Sequence, residues 1–536
     1  VIAVTDRSVL LCGTVVVCGA VSLLLPLGRG EATVIAVRTQ LVSRAADGGP
    51  ADGASANPAM TPDGRIVVFD TAATNLVAGE ASGAGRQVAA VDLRSGERWL
   101  VSAGANGPSW SPTISADGRR VAFVSEASNL VPGDTNGFAD VFVRDRDGSV
   151  QRVSVAPGHR PANGPSSDPH ISADGRYVVF TSAASNLVPG DHNRQPDVFL
   201  RDLKAQRTIR VSVTSSGAQA NGPSGSPAIS ADGRVVSFAS KATNLVGAAA
   251  NAVPQVFVRD LPKRRTERIS VSTSGRQQNK AVIAPFSQIS ALSADGRYVV
   301  FDSDATNLVP HDTNRRTDIF RHDRLTGRTT LISVSSTGYE GNNDSFAPSI
   351  SANGRFVIFE SFASNLARGR GPRENIFVRD LALGTTSVVN VPAGGGRRAP
   401  ELVKQLLQRA AISNDGRVAA FTSTAANLTP DPTNGVANLY IRRLTPPHGR
   451  LVGHPRPAPR PVIALSADDP LATTFICRLD HHDPFPCPRG SFRLPAGLTQ
   501  GRHVLRVRAG GPGMLFDPQA LTARVTVARH GAHQAH

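Results

Sequence analysis

The sequence predicts an all-β protein: a seven-bladed β-propeller of four-stranded blades, followed by a small β-sandwich. Three observations carry this. The block Ser172-Ala-Asp-Gly-Arg-Tyr-Val-Val-Phe180 has close copies starting at Thr61, Ser115, Ser230, Ser293, Ser351 and Ser413, at spacings of 54 to 63 residues. A period of that size marks a stacked or circular array. Each repeat divides into four strand-like runs separated by turn formers, as propeller blades do. The last repeat lacks a fourth strand, and a lone strand-like run over residues 39–44 precedes the first repeat. That N-terminal strand can close the last blade and leave no open edge.

In chain order, residues 1–32 read as a signal peptide or N-terminal membrane anchor. Arg7 is followed by an uncharged apolar run from Ser8 to Leu27 and then by Gly28-Arg-Gly-Glu-Ala32. That run is long enough for either role. Cys12 and Cys18 lie inside it without a lipobox pattern before them. Both readings place the rest of the chain in an extracytoplasmic, oxidising compartment, secreted or membrane-anchored.

The propeller is expected over residues 37–445, and the third repeat shows its plan. Strand a is Pro169–Ser172 and Ala173-Asp-Gly175 is a tight turn, with glycine free to take positive φ. Strand b, Arg176–Phe180, is apolar on both faces, as a strand between two neighbouring sheets must be. Strands c and d follow at Asp197–Arg201 and Thr208–Val213. In the seventh repeat, strand c is Ala437–Arg442, and Pro446-Pro447 then breaks the pattern. Between the sixth and seventh repeats, Pro400–Arg409 has helical spacing, with Leu402, Val403, Leu406 and Leu407 on one face. Residues 446–461 form a Pro-rich, stiff linker. Residues 462–528 carry a second set of alternating strands, and 529–536 form a disordered tail.

Charge and motifs narrow the function classes. The net charge of +16 is almost wholly arginine, without a Lys/Arg run of nucleic-acid-binding length, and aromatics are 5%. A spread, solvated basic surface follows, and nucleic acid is not an expected partner. The chain contains no Gly-x-Ser-x-Gly, no His-Glu-x-x-His and no phosphate loop. No catalytic residue and no organic cofactor is therefore expected, and the chain reads as a monomer.

Blade geometry chooses the face to search. The b–c and d–a connections leave one side of a blade; the a–b and c–d hairpins leave the other. The a–b turns are short and nearly identical, which makes that face scaffold, with Arg65, Arg119, Arg176, Arg234, Arg297, Arg355 and Arg417 after the turns. The opposite loops are long and vary, as binding loops on a rigid frame do. Ala105-Asn-Gly-Pro-Ser109 and its copies at Ala162 and Ala220 are turn chemistry. Three b–c loops carry a spaced set of oxygen ligands: Asp134, Asn136 and Asp140; Asp191, Asn193 and Asp197; Asp312, Asn314 and Asp318. These nine residues are calcium candidates, although the central glycine and closing glutamate of a full calcium loop are missing. Asx-turns with a strand-starting aspartate are the alternative reading.

The recurring Pro-x-Ile-Ser-Ala-Asp-Gly-Arg-x-Val-x-Phe block, the Ser-Asn-Leu-Val-Pro-Gly-Asp stretch and the Asp-Val-Phe-Val-Arg-Asp strand, as at Asp140–Asp145, resemble the TolB-type, WD-like propeller repeat of exported bacterial proteins. The resemblance covers residues 37–445 and implies a binding platform. The C-terminal segment resembles bacterial immunoglobulin-like modules through Cys477-Arg-Leu-Asp480, Cys487 and Gly501-Arg-His-Val-Leu-Arg-Val-Arg-Ala509. In an exported chain, that resemblance implies a Cys477–Cys487 disulfide; zinc, using His481-His482-Asp483 between the cysteines, is the alternative. The resulting expectation is a non-enzymatic binding or scaffolding protein of the bacterial cell envelope. Its partner would be an envelope protein or a glycan held on the b–c/d–a loop face, with membrane contact through the N-terminal apolar segment. The alternative is an extracellular propeller hydrolase or lyase acting on a glycan or peptide.

Overall fold

The computed structural model describes residues 39–79, 85–247, 253–280, 290–367, 374–392, 410–444, 449–452, 455–467, 474–510 and 515–528. The N-terminal apolar run, the helix expected over 400–409 and the tail at 529–536 lie outside these residues.

Seven four-stranded antiparallel sheets follow one another along the chain. In blade three the strands are Ser166–Ile171, Tyr177–Ser182, Asp197–Asp202 and Arg207–Arg210, hydrogen-bonded in sequence order a-b-c-d. The seventh sheet is made from Ala411–Ile412, Val418–Ser423 and Asn438–Arg443, with Thr39–Leu41 as its outer strand. There Leu41 lies opposite Tyr440 and Thr39 opposite Arg442, so the N-terminal strand closes the last blade as expected.

Burial explains why the b strands are apolar on both sides. Val178, Val179 and Phe180 are all fully buried, because successive residues point into two different inter-blade layers. One such layer joins Ala122, Val141 and Val143 of blade two to Val178, Phe180 and Phe199 of blade three. Another joins Ala420, Leu439 and Ile441 of blade seven to Val67, Phe69 and Ala89 of blade one, which makes the array a ring. Within blades, strands b and c oppose two aromatic rings. The Phe180–Phe199 centroids are 5.9 Å apart, and like pairs recur from blade two to blade six, with Phe421–Tyr440 in blade seven. Each pair adds about 1 kcal/mol beyond the area it buries.

The a–b turns link blade to blade. The Ser172 hydroxyl donates to Asp174 and accepts from the Tyr177 N–H, which pins the turn. The backbone N–H groups of Ala116, Ala173, Ala231 and Ala294 each donate to the carbonyl of the matching residue one blade on, at 2.8 to 3.0 Å. Asn414 continues this belt into blade one through the Pro62 carbonyl. Gly233 shows why the turn ends in glycine. Its φ is 73°, and a Cβ there would sit 2.2 Å from the Tyr177 ring of the preceding blade.

In blade three the largest departures from the expected strand boundaries are at the start of strand a and the end of strand d. Strand a of blade three starts at Ser166, ahead of Pro169, because the Ser166 hydroxyl pairs with Ser182 across the sheet. The register then shifts between Ser167 and His170, with Asp168 in the left-handed region at φ 51°. This bulge re-aims the start of the strand. Strand d ends at Arg210, short of Val213, where the chain turns into the d–a connection.

The C-terminal strands form a three-stranded and a four-stranded sheet that share one core, including Ile463, Leu465, Phe475, Leu479, Leu505 and Val507. Cys477 and Cys487 are joined as a disulfide, with Cα atoms 5.9 Å apart, so neither thiol is left for zinc. The Asp480 carboxylate caps the Val504 N–H and bonds the ring of His503 at 2.6 Å, which accounts for the spacing of the Leu-Asp and Gly-x-His elements.

Candidate functional site

The innermost strands surround a central channel of about 320 Å³ that opens to solvent. Its wall is largely backbone and small or apolar side chains, including Ala59, Pro112, Pro169, Ile229, Ala291 and Pro348. At its loop end sit the bulge residues Asn57, Ser111, Asp168 and Ala347. Two buried carboxylates from strand b tie the bulge of the following blade. Asp70 accepts from Ser111 N at 3.0 Å and Asp302 from Ala347 N at 3.4 Å. Burial pushes the Asp302 carboxyl up to about 8. Among the described residues, no three His, Cys, Asp or Glu side chains meet as a preformed metal cage.

On the b–c/d–a face the repeated polar motifs prove to be clasped together. Asn163, from the Asn-Gly-Pro-Ser motif, receives the Ser185 N–H on its side-chain oxygen and donates to the Ser185 hydroxyl; its own N–H goes to Asn186. The same clasp joins Asn106 to Ser128 and Asn129, Asn221 to Thr243 and Asn244, and Asn342 to Ser364 and Asn365. The Ser-Asn-Leu and Asn-Gly-Pro stretches are thus two halves of one connector. Large apolar side chains standing clear of it are Phe138, 42% exposed, and Tyr339, 72% exposed.

The calcium candidates occupy this face, and the structure shows three versions of the same site. In blade two, the Asn136 amide donates to Asp140 at 2.8 Å and to the Ala162 carbonyl at 3.1 Å, and the Ser154 hydroxyl donates to the other Asp140 oxygen. One nitrogen of Arg152 lies 2.9 Å from Asp134 and 3.6 Å from Asp140. That arginine side chain is 5% exposed, so a guanidinium already supplies the positive charge between the two carboxylates. Blade three repeats this. Asn193 donates to Asp197 at 2.7 Å, and Arg210 stands 3.3 Å from Asp191 and 3.6 Å from Asp197. In blade seven the loop aspartate Asp431 is paired with Arg44 at 3.0 Å.

Blade five keeps the frame and drops the cation. Asn314 donates to Asp318 at 2.7 Å and to the Gly341 carbonyl at 2.8 Å, and Ser333 donates to Asp318. The residue opposite Phe320, where blade three places Arg210 opposite Phe199, is Leu331, which packs on the neighbouring apolar layer. Both Asp312 carboxylate oxygens are shut off from solvent and meet no hydrogen-bond donor. A second exchange goes the same way. Gln219 of blade three, which accepts from the His192 and Asn193 N–H groups, is replaced by Glu340, which accepts from the Thr313 N–H and hydroxyl. Burial first, and then the Glu340 charge, push Asp312 up to about 6, while Lys280 pulls the other way. Burial pushes Asp318 up to about 7.

Arg152, Arg210 and Glu340 lie outside the nine candidate positions that the loop pattern picks out. The signal was present in strand d, where Arg152-Val-Ser-Val155 and Arg210-Val-Ser-Val213 contrast with Leu331-Ile-Ser-Val334. In blade four Arg268 stands opposite Phe257, Gln255 replaces the inner aspartate and accepts from Ser270, and residues 248–252 of the loop lie outside the described set.

No protein-family model matches the chain, and no curated protein matches it in sequence. Solved structures similar to it include an oligogalacturonate lyase from Vibrio parahaemolyticus, at 11% identity over 76% of this chain and 93% of that one, with a TM-score of 0.45. A TolB candidate from Agrobacterium tumefaciens matches at 15% identity over 66% of this chain and 96% of its own, with a TM-score of 0.33. A prolyl endopeptidase matches at 12% identity over 80% of this chain and 55% of its own, with a TM-score of 0.41. At these identities and scores, the likenesses carry no part of the functional argument.

Proposed function

We propose that this chain is a non-enzymatic binding or scaffolding protein of the bacterial cell envelope that holds an envelope protein or glycan on its b–c/d–a loop face. The single observation that carries the reading is how the polar residues of that face are used. In blades two and three their recurring hydroxyl, amide and carboxylate groups are engaged in connector clasps and arginine pairs, while Phe138 and Tyr339 project from the same face. Rigid connectors presenting exposed aromatic side chains suit recognition, because little side-chain entropy is lost on contact. The apolar N-terminal run and the Cys477–Cys487 disulfide support an extracytoplasmic location.

Co-sedimentation of the full chain with isolated envelope material tests this. The double variant Phe138→Ala/Tyr339→Ala is expected to lose at least ~10-fold in retention, about 1.4 kcal/mol. Arg234→Ala, on the short-turn face, should retain the wild-type level. Equal retention by all three proteins would remove the loop face from the reading. Steady release of soluble sugar or peptide products would replace binding with catalysis.

A further inference from the structure

We infer that blade five binds one hard divalent cation of the calcium type between Asp312 and Asp318, at the place where blades two and three carry a guanidinium. The argument is internal to the ring. The same Asn-to-Asp bond and the same Ser-to-Asp bond build the pocket in blades two, three and five. In the first two, a strand-d guanidinium lies within 3.6 Å of the inner carboxylate and closer to the outer one. Leu331 removes that charge in blade five, and Glu340 adds a negative one where blade three has a neutral amide. Two independent exchanges thus move the pocket in the same electrostatic direction.

The second observation is Asp312 itself, whose two oxygens are buried without any donor. A carboxylate is an acceptor-only group, and leaving it buried and unpaired is strongly unfavourable. A cation repairs this without changing the frame. Asp318 retains ligand capacity, since each of its oxygens has a lone pair beyond the one used by Ser333 or Asn314. Asn314 is a positioning residue: its amide holds Asp318, and its oxygen accepts from the Arg316 N–H. All the donors are oxygen, which selects a hard ion. Calcium accepts backbone carbonyls and water beside one or two carboxylates at about 2.3–2.6 Å, so a cage of three acidic side chains is not required.

The test is calorimetric titration of the full, chelator-stripped chain with calcium chloride, paired with thermal melts. Wild type should take up one calcium per chain, and its Tm should rise by about 3 °C at saturation. Leu331→Arg, which installs the arginine of blades two and three, should abolish that uptake and melt higher than wild type in chelator. Asp312→Asn should also abolish uptake; it decides the matter if the arginine variant fails to fold. Absence of both heat and Tm shift in wild type overturns the proposal. So does undiminished uptake by both variants.

Discussion

Blade three and blade five are the instructive pair. They share strand order, turn, aromatic pair, connector clasp and the Asn–Asp and Ser–Asp bonds of the b–c loop. Among the buried or half-buried positions at which they differ are Arg210 against Leu331, Gln219 against Glu340, and Thr181 against Asp302. Each of these three exchanges makes blade five more acidic. Blade three sets two aspartates against an arginine. Blade five sets two aspartates and a glutamate against a leucine at the strand-d position of Arg210. The comparison teaches that near-identical loop carboxylates can sit in opposite charge environments, because what packs against them from strand d differs.

The strongest way to break the comparison is to make blade three resemble blade five. Arg210→Leu would leave Asp191 and Asp197 buried without their partner, with side chains 3% and 0% exposed. The expected loss is about 3–5 kcal/mol, read as a fall in Tm in chelator. If the cation inference holds, calcium should restore part of that loss, and this new response is the sharper readout.

The next effect concerns Asp302. Its folded-state value of about 8 lies above its ordinary value of 3.8, with burial the main cause and Asp304 adding to it. Below pH ~4 the group is neutral in both states and costs nothing. As pH rises from there through 8, the unfolded chain ionises more readily than the folded one, so stability falls. Asp302→Thr, which installs the residue of blade three, should therefore raise stability by more than about 1 kcal/mol at pH 9 and change it little at pH 4. Melts across that pH range check it, and a pH-independent difference would refute the assignment.

The smallest effect is Gln219→Glu. This adds the charge of Glu340 to blade three while keeping Arg210, and the position is partly solvated. A loss of less than about 1 kcal/mol is expected, shrinking with added salt. A larger loss would mean that the amide, rather than the arginine, keeps blade three metal-free.

Much of the frame was readable from the residues. The repeat marked the blades, the Ala-Asp-Gly turns marked the a–b hairpins, and the missing fourth strand of the last repeat pointed to residues 39–44. These follow from local rules: alternation, turn chemistry and the need to cover a sheet edge. The strand-a bulge was not readable, because its left-handed residue is Asn57, Ser111, Asp168, Ser226 or Ala347 in different blades, so no one residue type marks it. The roles of Asp134, Asp191 and Asp312 were undecided for a related reason. The three loops are near-copies, and the residue that separates them lies on another strand, brought alongside only when the blade pairs c with d. The sequence by itself determined the architecture and named the candidate carboxylates. The tertiary structure decided which of them face an arginine, because the charge balance of a buried site depends on what is packed opposite, and in this chain that residue is remote from the loop.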